Sequence, residues 1–406
     1  MSGGSLRNRY KSTKNKKDMK KNFLKVVGCM FAFVVGMASC SDDKGTDNSG
    51  SAPEEAFSCI EQILDGCMDI ANEVGETKIG EPVSKWATDQ TAALYSVESW
   101  YSWHSREDYS NNIYSIRNAY YGTLDGTVGT NSLANLIAKN NASLDTQVRN
   151  AISDAVDAIL AIKSPFRNNI NSTEARTAMT ACADLNDVLK DLKGYIERTA
   201  AVNTNAVLDP IIVSYVDVVV LPTYNSLKEK NAALYTAAQK FNSTPSNANF
   251  EAVCEAWLEA RQPWETSEAF LFGPVDALGL DPNMDSWPLD QSAIVNILNS
   301  GNYDDLNWSD GDNNDKVEAA QSVRGFHTLE FLAFRNGVAR TLTDVADSSN
   351  SADLVYTSAN AASWGNYMVQ VAYLLKSDAE TLYNSWSVSY EGGESYAAKF
   401  KKHVVQ

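Results

Sequence analysis

Histidine is scarce in this 406-residue chain: only His104, His327 and His403 occur. The HExxH arrangement, two histidines four apart on one helix with glutamate as base between them, finds no match, so a metal site here must be mostly carboxylate. Cysteine is nearly as sparse. Cys29 and Cys40 fall in the N-terminal leader, leaving Cys59, Cys67, Cys182 and Cys254. In CIEQILDGC, Cys59 and Cys67 stand on one expected helix with about 12 Å of rise between them, beyond disulfide reach. No disulfide framework and no cysteine metal spacing is present. Positive charge is also short, with 34 Lys and Arg against 51 Asp and Glu. Residues 1–39 hold nine of those basic residues and one acidic residue, so the remainder carries 25 against 50. A field near −25 repels nucleic acid and anionic lipid and draws cations to the surface, so no nucleic-acid partner is expected.

Long apolar runs are missing except at the start. Phe23–Met37 follows lysines from Lys11 to Lys25 and closes on Met37-Ala38-Ser39-Cys40. The run is shorter than the roughly 20 residues that span a bilayer. It reads as a lipoprotein signal peptide over 1–39 with Cys40 as the lipidated residue, against the alternative of a plain anchor helix. Residues 40–53, CSDDKGTDNSGSAP, form an acidic Gly/Ser-rich tether with nothing to bury. Ser41-Asp42-Asp43 resembles a surface-export tag and is equally compatible with a solvated linker. The expectation is an outer-membrane lipoprotein in the cell envelope, on the periplasmic or the surface face.

Alternating strand patterns are few as well. From Glu54 onward apolar residues recur at three and four, which predicts an all-α protein. Helices are expected at 54–72, 83–100, 106–121, 144–162, 173–198, 247–272, 291–299, 315–334 and 358–386, with Ser172 and Ser246 as N-caps and Gly337 as a stop. Ile211–Leu221 is rich in β-branched residues, but it has no second strand to pair with. It is read as a buried helix opening a longer one through Tyr235. Asn203–Pro210 is the expected seam between two similar four-helix bundles packed side by side, 54–205 and 206–406.

Two segments carry chemistry. In RGFHTLEFLAF, Arg324–Phe334, His327 and Glu330 share one face of a helix that is apolar all round. A buried glutamate without a partner costs about 3–5 kcal/mol, so something must satisfy the pair. A hydrogen-bonded core pair and half of a metal site are both open. In EAWLEARQPWETSEAFLFGP, a helix running through Pro263 sets Trp257, Arg261, Trp264, Glu265, Glu268 and Phe272 on one face, suited to ion pairing and stacking.

Gly325-Phe326-His327-Thr328-Leu329-Glu330 matches the GxHxxE motif of the imelysin-like proteins, and Arg261-Gln262-Pro263-Trp264-Glu265 with Ser267-Glu268-Ala269-Phe270 matches that family's other signature. The chain resembles this family over nearly all of its length beyond the leader, most strongly from Val219 to Phe334. Its segments stand in an unusual order. KIGEP, Lys78–Pro82, and ESWYSWHSREDYSNNI, Glu98–Ile113, resemble the region that follows GxHxxE in the family, and VVLPTYNSL resembles the family's beginning. That order suggests a circular permutation, with residues 396–406 leading into 57–121.

The resemblance implies two helical bundles with a polar site where they meet, lined by His327 and Glu330 with Arg261, Glu265 and Glu268. Glu98, Ser99, Ser105 and Trp264 are further candidates. It implies binding of iron, another divalent metal ion or an iron-containing small ligand in iron uptake, with uptake proteins as partners. Imidazole and carboxylate donors suit such ions. The alternative is a zinc metallopeptidase with His327 and Glu330 as ligands and Glu268 as third ligand or base. A third class, an adhesin, requires Trp86, Trp100, Trp103 and Trp364 to form a surface patch.

Overall fold

The computed structural model describes residues 53–348 and 353–405. The leader, Cys40, most of the tether and Gln406 lie outside the described residues. Eight principal helices carry the architecture: α1 Ala56–Asn72, α2 Ser105–Tyr121, α3 Ala142–Ala161, α4 Thr173–Arg198, α5 Leu221–Ser243, α6 Asn247–Glu265, α7 Gly325–Ala333 and α8 Ala361–Ser387. The first four pack in a closed ring, α1 on α2 and α4, α3 on α2 and α4. The last four close a second ring, α5 on α6 and α8, α7 on α6 and α8. Between the rings, α6 packs on α2, and the 3-10 turn Glu268–Phe270 packs on α1 and α2. Gly66 of α1 permits that last approach, since a Cβ there would stand 2.2 Å from the Ala269 carbonyl oxygen.

The all-helical expectation holds. Among the described residues the only strands are a two-residue pair, Phe334–Arg335 with Val338–Ala339. Ser172 and Ser246 cap α4 and α6 by accepting from the amides of Ala175 and Asn249 at 3.1 Å. The β-branched segment is helical: Asn205–Ser214 continues through a π turn, Tyr215–Val220, into α5. A second π turn, Glu73–Ile79, extends α1. Each π turn stands just ahead of a proline, Pro222 or Pro82, whose ring crowds the carbonyl four residues back; widening the turn relieves that clash.

Several boundaries are corrected. The helix expected over 315–334 is two helices, Asn314–Gln321 and α7, broken at Arg324, which is extended. Gly325 takes φ +83, and a Cβ there would meet the Met284 carbonyl oxygen at 2.5 Å, so the break lets the backbone press on its neighbour. α6 runs through Pro263 as expected but ends at Glu265, not at 272. Gly337 is no helix stop. With Asn336 at φ 53 and Gly337 at φ 81 it makes the turn of the small hairpin. The four described cysteines are free and buried. The ends of the described chain lie together: Cys59 Sγ donates to the Phe400 carbonyl at 3.3 Å, and Phe57 and His403 line one cleft.

Candidate ligand-binding site between the bundles

Six segments converge where α2 meets α6. From the second bundle, α6 supplies Arg261, Trp264 and Glu265, the 3-10 turn supplies Glu268, the short helix Leu280–Asp285 supplies Asp285, and α7 supplies His327 and Glu330. From the first, the loop at 97–104 and the start of α2 supply Ser99, Ser102, Asp108 and Asn112.

Glu330 is fully buried and fully bonded. Its Oε1 accepts from the amides of Tyr101 (3.0 Å) and Ser102 (2.7 Å) and from Ser102 Oγ (2.7 Å), while Oε2 stands 2.9 Å from His327 Nδ1. These bonds offset the desolvation that an unpaired carboxylate would suffer. Ser99 and Trp103, on either side of the donor pair, hold φ of 49 and 63. Such conformations in non-glycine residues persist where the surroundings impose them. Here the Gly337 amide pins the loop by donating to the Tyr101 carbonyl at 2.9 Å.

His327 is held on both sides, with Nε2 in an ion-pair contact 3.1 Å from Asp285 Oδ1. Burial and the nearby Arg261 charge lower its pKa, but Asp285 and Glu330 outweigh them and raise it to about 9, so the ring is an imidazolium at neutral pH. Asp285 also takes Arg261 Nη1 and the Trp264 indole N–H, the latter at 2.8 Å. Burial pushes the Asp285 carboxyl up, yet Arg261 and His327 hold it well below the usual range. Arg261 reaches two further carboxylates, Glu265 Oε1 at 2.5 Å and Asp108 Oδ2 at 3.4 Å.

The remaining acids are less well compensated. Burial raises Glu265 to about 8 despite Arg261 and the Asn112 amide 2.5 Å away. Burial likewise raises Asp108 to about 6, although Arg261 and the Ser99 hydroxyl oppose it. Glu268 is 9% exposed, makes no hydrogen bond or ion pair among the described residues, and is raised well above its ordinary value by burial. Asp108 Oδ1 and Asn112 Oδ1 are buried acceptors without a donor. Beyond Glu268 lies Lys78, its Nζ 3.1 Å from Glu98 and 3.6 Å from Glu73.

The structure therefore brings His327, Glu330, Arg261, Glu265 and Trp264 into one network, with Glu268 at its edge. Ser99 joins through Asp108, Glu98 through Lys78, and Ser105 only braces the loop by donating to the Glu98 carbonyl at 2.6 Å. Sequence reasoning missed Asp285, Asp108, Asn112, Ser102 and Lys78. Asp285 sits in DPNMDSWPLD and Lys78 in KIGEP, both inside stretches that carry the resemblance, but no spacing rule singles them out. His104, at the start of α2, also lies within electrostatic range of Glu330 and Glu265. The surface patch of tryptophans does not form: Trp364 is fully buried and its indole N–H donates to the Leu332 carbonyl at 3.1 Å.

One group of side chains can hold a cation. Glu265, Glu268 and Asp285 each place a carboxylate oxygen within 4.8 Å of the others. Around this group stand eight carboxylates, at Glu73, Glu98, Asp108, Glu265, Glu268, Asp281, Asp285 and Glu330, against the three cationic side chains of Lys78, Arg261 and His327.

Comparison with known proteins agrees with the motifs. The imelysin family model matches residues 10–192 and 220–406. The chain belongs to the imelysin family. It is similar to an imelysin peptidase from Bacteroides ovatus whose crystal structure is known, at 60% identity and TM-score 0.70, covering 70% of this chain and 82% of that one. It is 34% identical over 144 residues to iron-regulated protein A of Synechococcus elongatus, and this match spans 34% of the chain and 33% of that relative's length. A crystal structure of a putative iron-regulated protein A precursor from Parabacteroides distasonis aligns at 36% identity over 47% of this chain and 49% of that one, with a TM-score of 0.39.

Proposed function

We propose that this imelysin-family protein binds an iron ion, or a small iron-containing ligand, in the carboxylate chamber between its bundles and serves iron uptake at the cell envelope. The observation that carries the reading is the convergence of Glu265, Glu268 and Asp285 in a chamber with more carboxylates than cations. Oxygen donors of this kind suit hard cations and discriminate against thiolate-seeking ones. The buried, donor-less oxygens of Asp108 and Asn112 and the unbonded Glu268 are the groups that an ion with its waters would satisfy. The name of the cyanobacterial relative, an iron-regulated protein, supports iron. His327 and Glu330 belong to this site as its rigid wall, since both imidazole nitrogens already face carboxylates. Lipidation at Cys40 would tether the protein to the outer membrane and bring it to partner proteins of uptake.

A zinc peptidase is the second reading; the similar Bacteroides ovatus protein is an imelysin peptidase. It requires His327 as a neutral ligand, which its two carboxylate contacts oppose. Elemental analysis of protein purified without chelator, with ferrous, ferric and zinc titrations and a peptide panel, separates the two. Iron binding that Glu268→Gln abolishes, without peptide cleavage, is expected. Zinc-dependent cleavage lost in His327→Ala with an intact helical spectrum would replace the binding reading by the peptidase one.

A further inference from the structure

Lys78 is a charged side chain placed where a core residue belongs. It continues the buried face of α1, Ile70 to Val74 to Lys78, through the π turn Glu73–Ile79, and only 4% of its side chain is exposed. A wide turn of this kind keeps residues four apart on one face, and π turns recur at functional positions. Its ammonium stands 3.1 Å from Glu98 and 3.6 Å from Glu73, with Glu268 and Glu265 also within electrostatic reach. Exposure rises outward from it, 18% for the Glu98 side chain and 33% for that of Glu73. Lys78 thus pairs with the more exposed acids and also acts electrostatically on Glu268, the one acid of the candidate cation set that forms no ion pair.

We infer that Lys78 is a built-in counter-cation that competes with the bound metal ion for the acids of the chamber and so sets its affinity. The inference rests on the binding reading above. A tethered ammonium supplies one positive charge on a flexible stem to Glu73, Glu98 and the field around Glu268. A metal ion supplies more charge at one point and must work against that ammonium or turn it toward Glu98 and Glu73. The chamber is thereby kept folded when empty, at the cost of weaker binding.

Titration of manganous and ferrous ions into the full chain tests this, read by calorimetry and by the metal-induced rise in thermal midpoint. Lys78→Met, which keeps the stem and removes the charge, is expected to bind about tenfold or more tightly than the natural protein, on the Coulomb scale for a charge several ångströms away. Lys78→Arg is expected to bind as the natural protein does. A Lys78→Met variant that unfolds without metal still reports, because a tighter site restores the fold as metal is added. Equal or weaker binding by Lys78→Met overturns the inference and leaves the binding reading standing. Tighter binding by Lys78→Met than by the natural protein supports the inference, and binding by neither protein overturns both.

Discussion

Arg261 is the residue on which the buried charges balance. Its guanidinium contacts Asp108, Glu265 and Asp285 from a position 1% exposed. Arg261→Met keeps much of the volume and strands three acids, so a loss of about 3–5 kcal/mol is expected, the range for breaking one side of a buried pair. Chemical denaturation of metal-free protein measures it; a loss below about 1 kcal/mol would mean that the acids find other partners. His327 sets the pH behaviour. Its folded pKa of about 9 lies above the ordinary 6.5, so its contribution is complete below about pH 6.5 and is lost as pH rises through about 9. The raised Asp108 and Glu265 act in the same direction over lower ranges, because the folded state binds protons that the unfolded state has released. Metal-free protein is therefore expected to lose stability from pH 6 to pH 9, and His327→Asn to flatten that slope above pH 6.5. An unchanged slope in the variant would assign the alkaline loss elsewhere.

At the scale of elements, α7 depends on the break that precedes it. Gly325→Ala places a side chain at φ +83 and against the Met284 carbonyl, which should cost more than about 1 kcal/mol and shift His327, two residues on. Thermal melts and metal titration read the two effects separately. This break also shows what the sequence could and could not disclose. Helical periodicity runs unbroken through Gln321–Leu329, because Val323 and Phe326 continue the apolar pattern; the turn is imposed by contact with the helix Leu280–Asp285, which local pattern does not encode. Caps were legible because Ser172 and Ser246 act on amides three residues away. The helical state of Ile211–Leu221 was legible only through the absence of a pairing strand, and its π turn was not.

For the whole molecule, two bundles were readable from the helical periodicity that runs from Glu54 onward. The site was half readable, as the members that share a helix turn with a motif, His327 with Glu330 and Arg261 with Glu265. Asp108, Asp285 and Lys78 come from three other segments and are joined only by packing. The ends of the described chain meet, as a permuted order requires: Glu54 and Ala56 bond Asn203 and Asn205 at the seam, while Cys59 bonds Phe400. A chain with residue 405 joined to residue 54 through a short flexible linker and opened within 199–204 should fold with the same helical spectrum and the same metal affinity. Failure of that chain to fold, with the linker length varied, would count against the permuted reading.

The central claim is that a metal ion sits among Glu265, Glu268 and Asp285. Diffraction from crystals grown with ferrous ion, recorded on both sides of the iron absorption edge, tests it directly. The expected result is one anomalous peak about 2 Å from an oxygen of each of these three carboxylates, the bonding range for carboxylate ligands, with His327 still between Asp285 and Glu330. A peak bonded to His327 and Glu330 instead, or none in crystals saturated with iron, would contradict it.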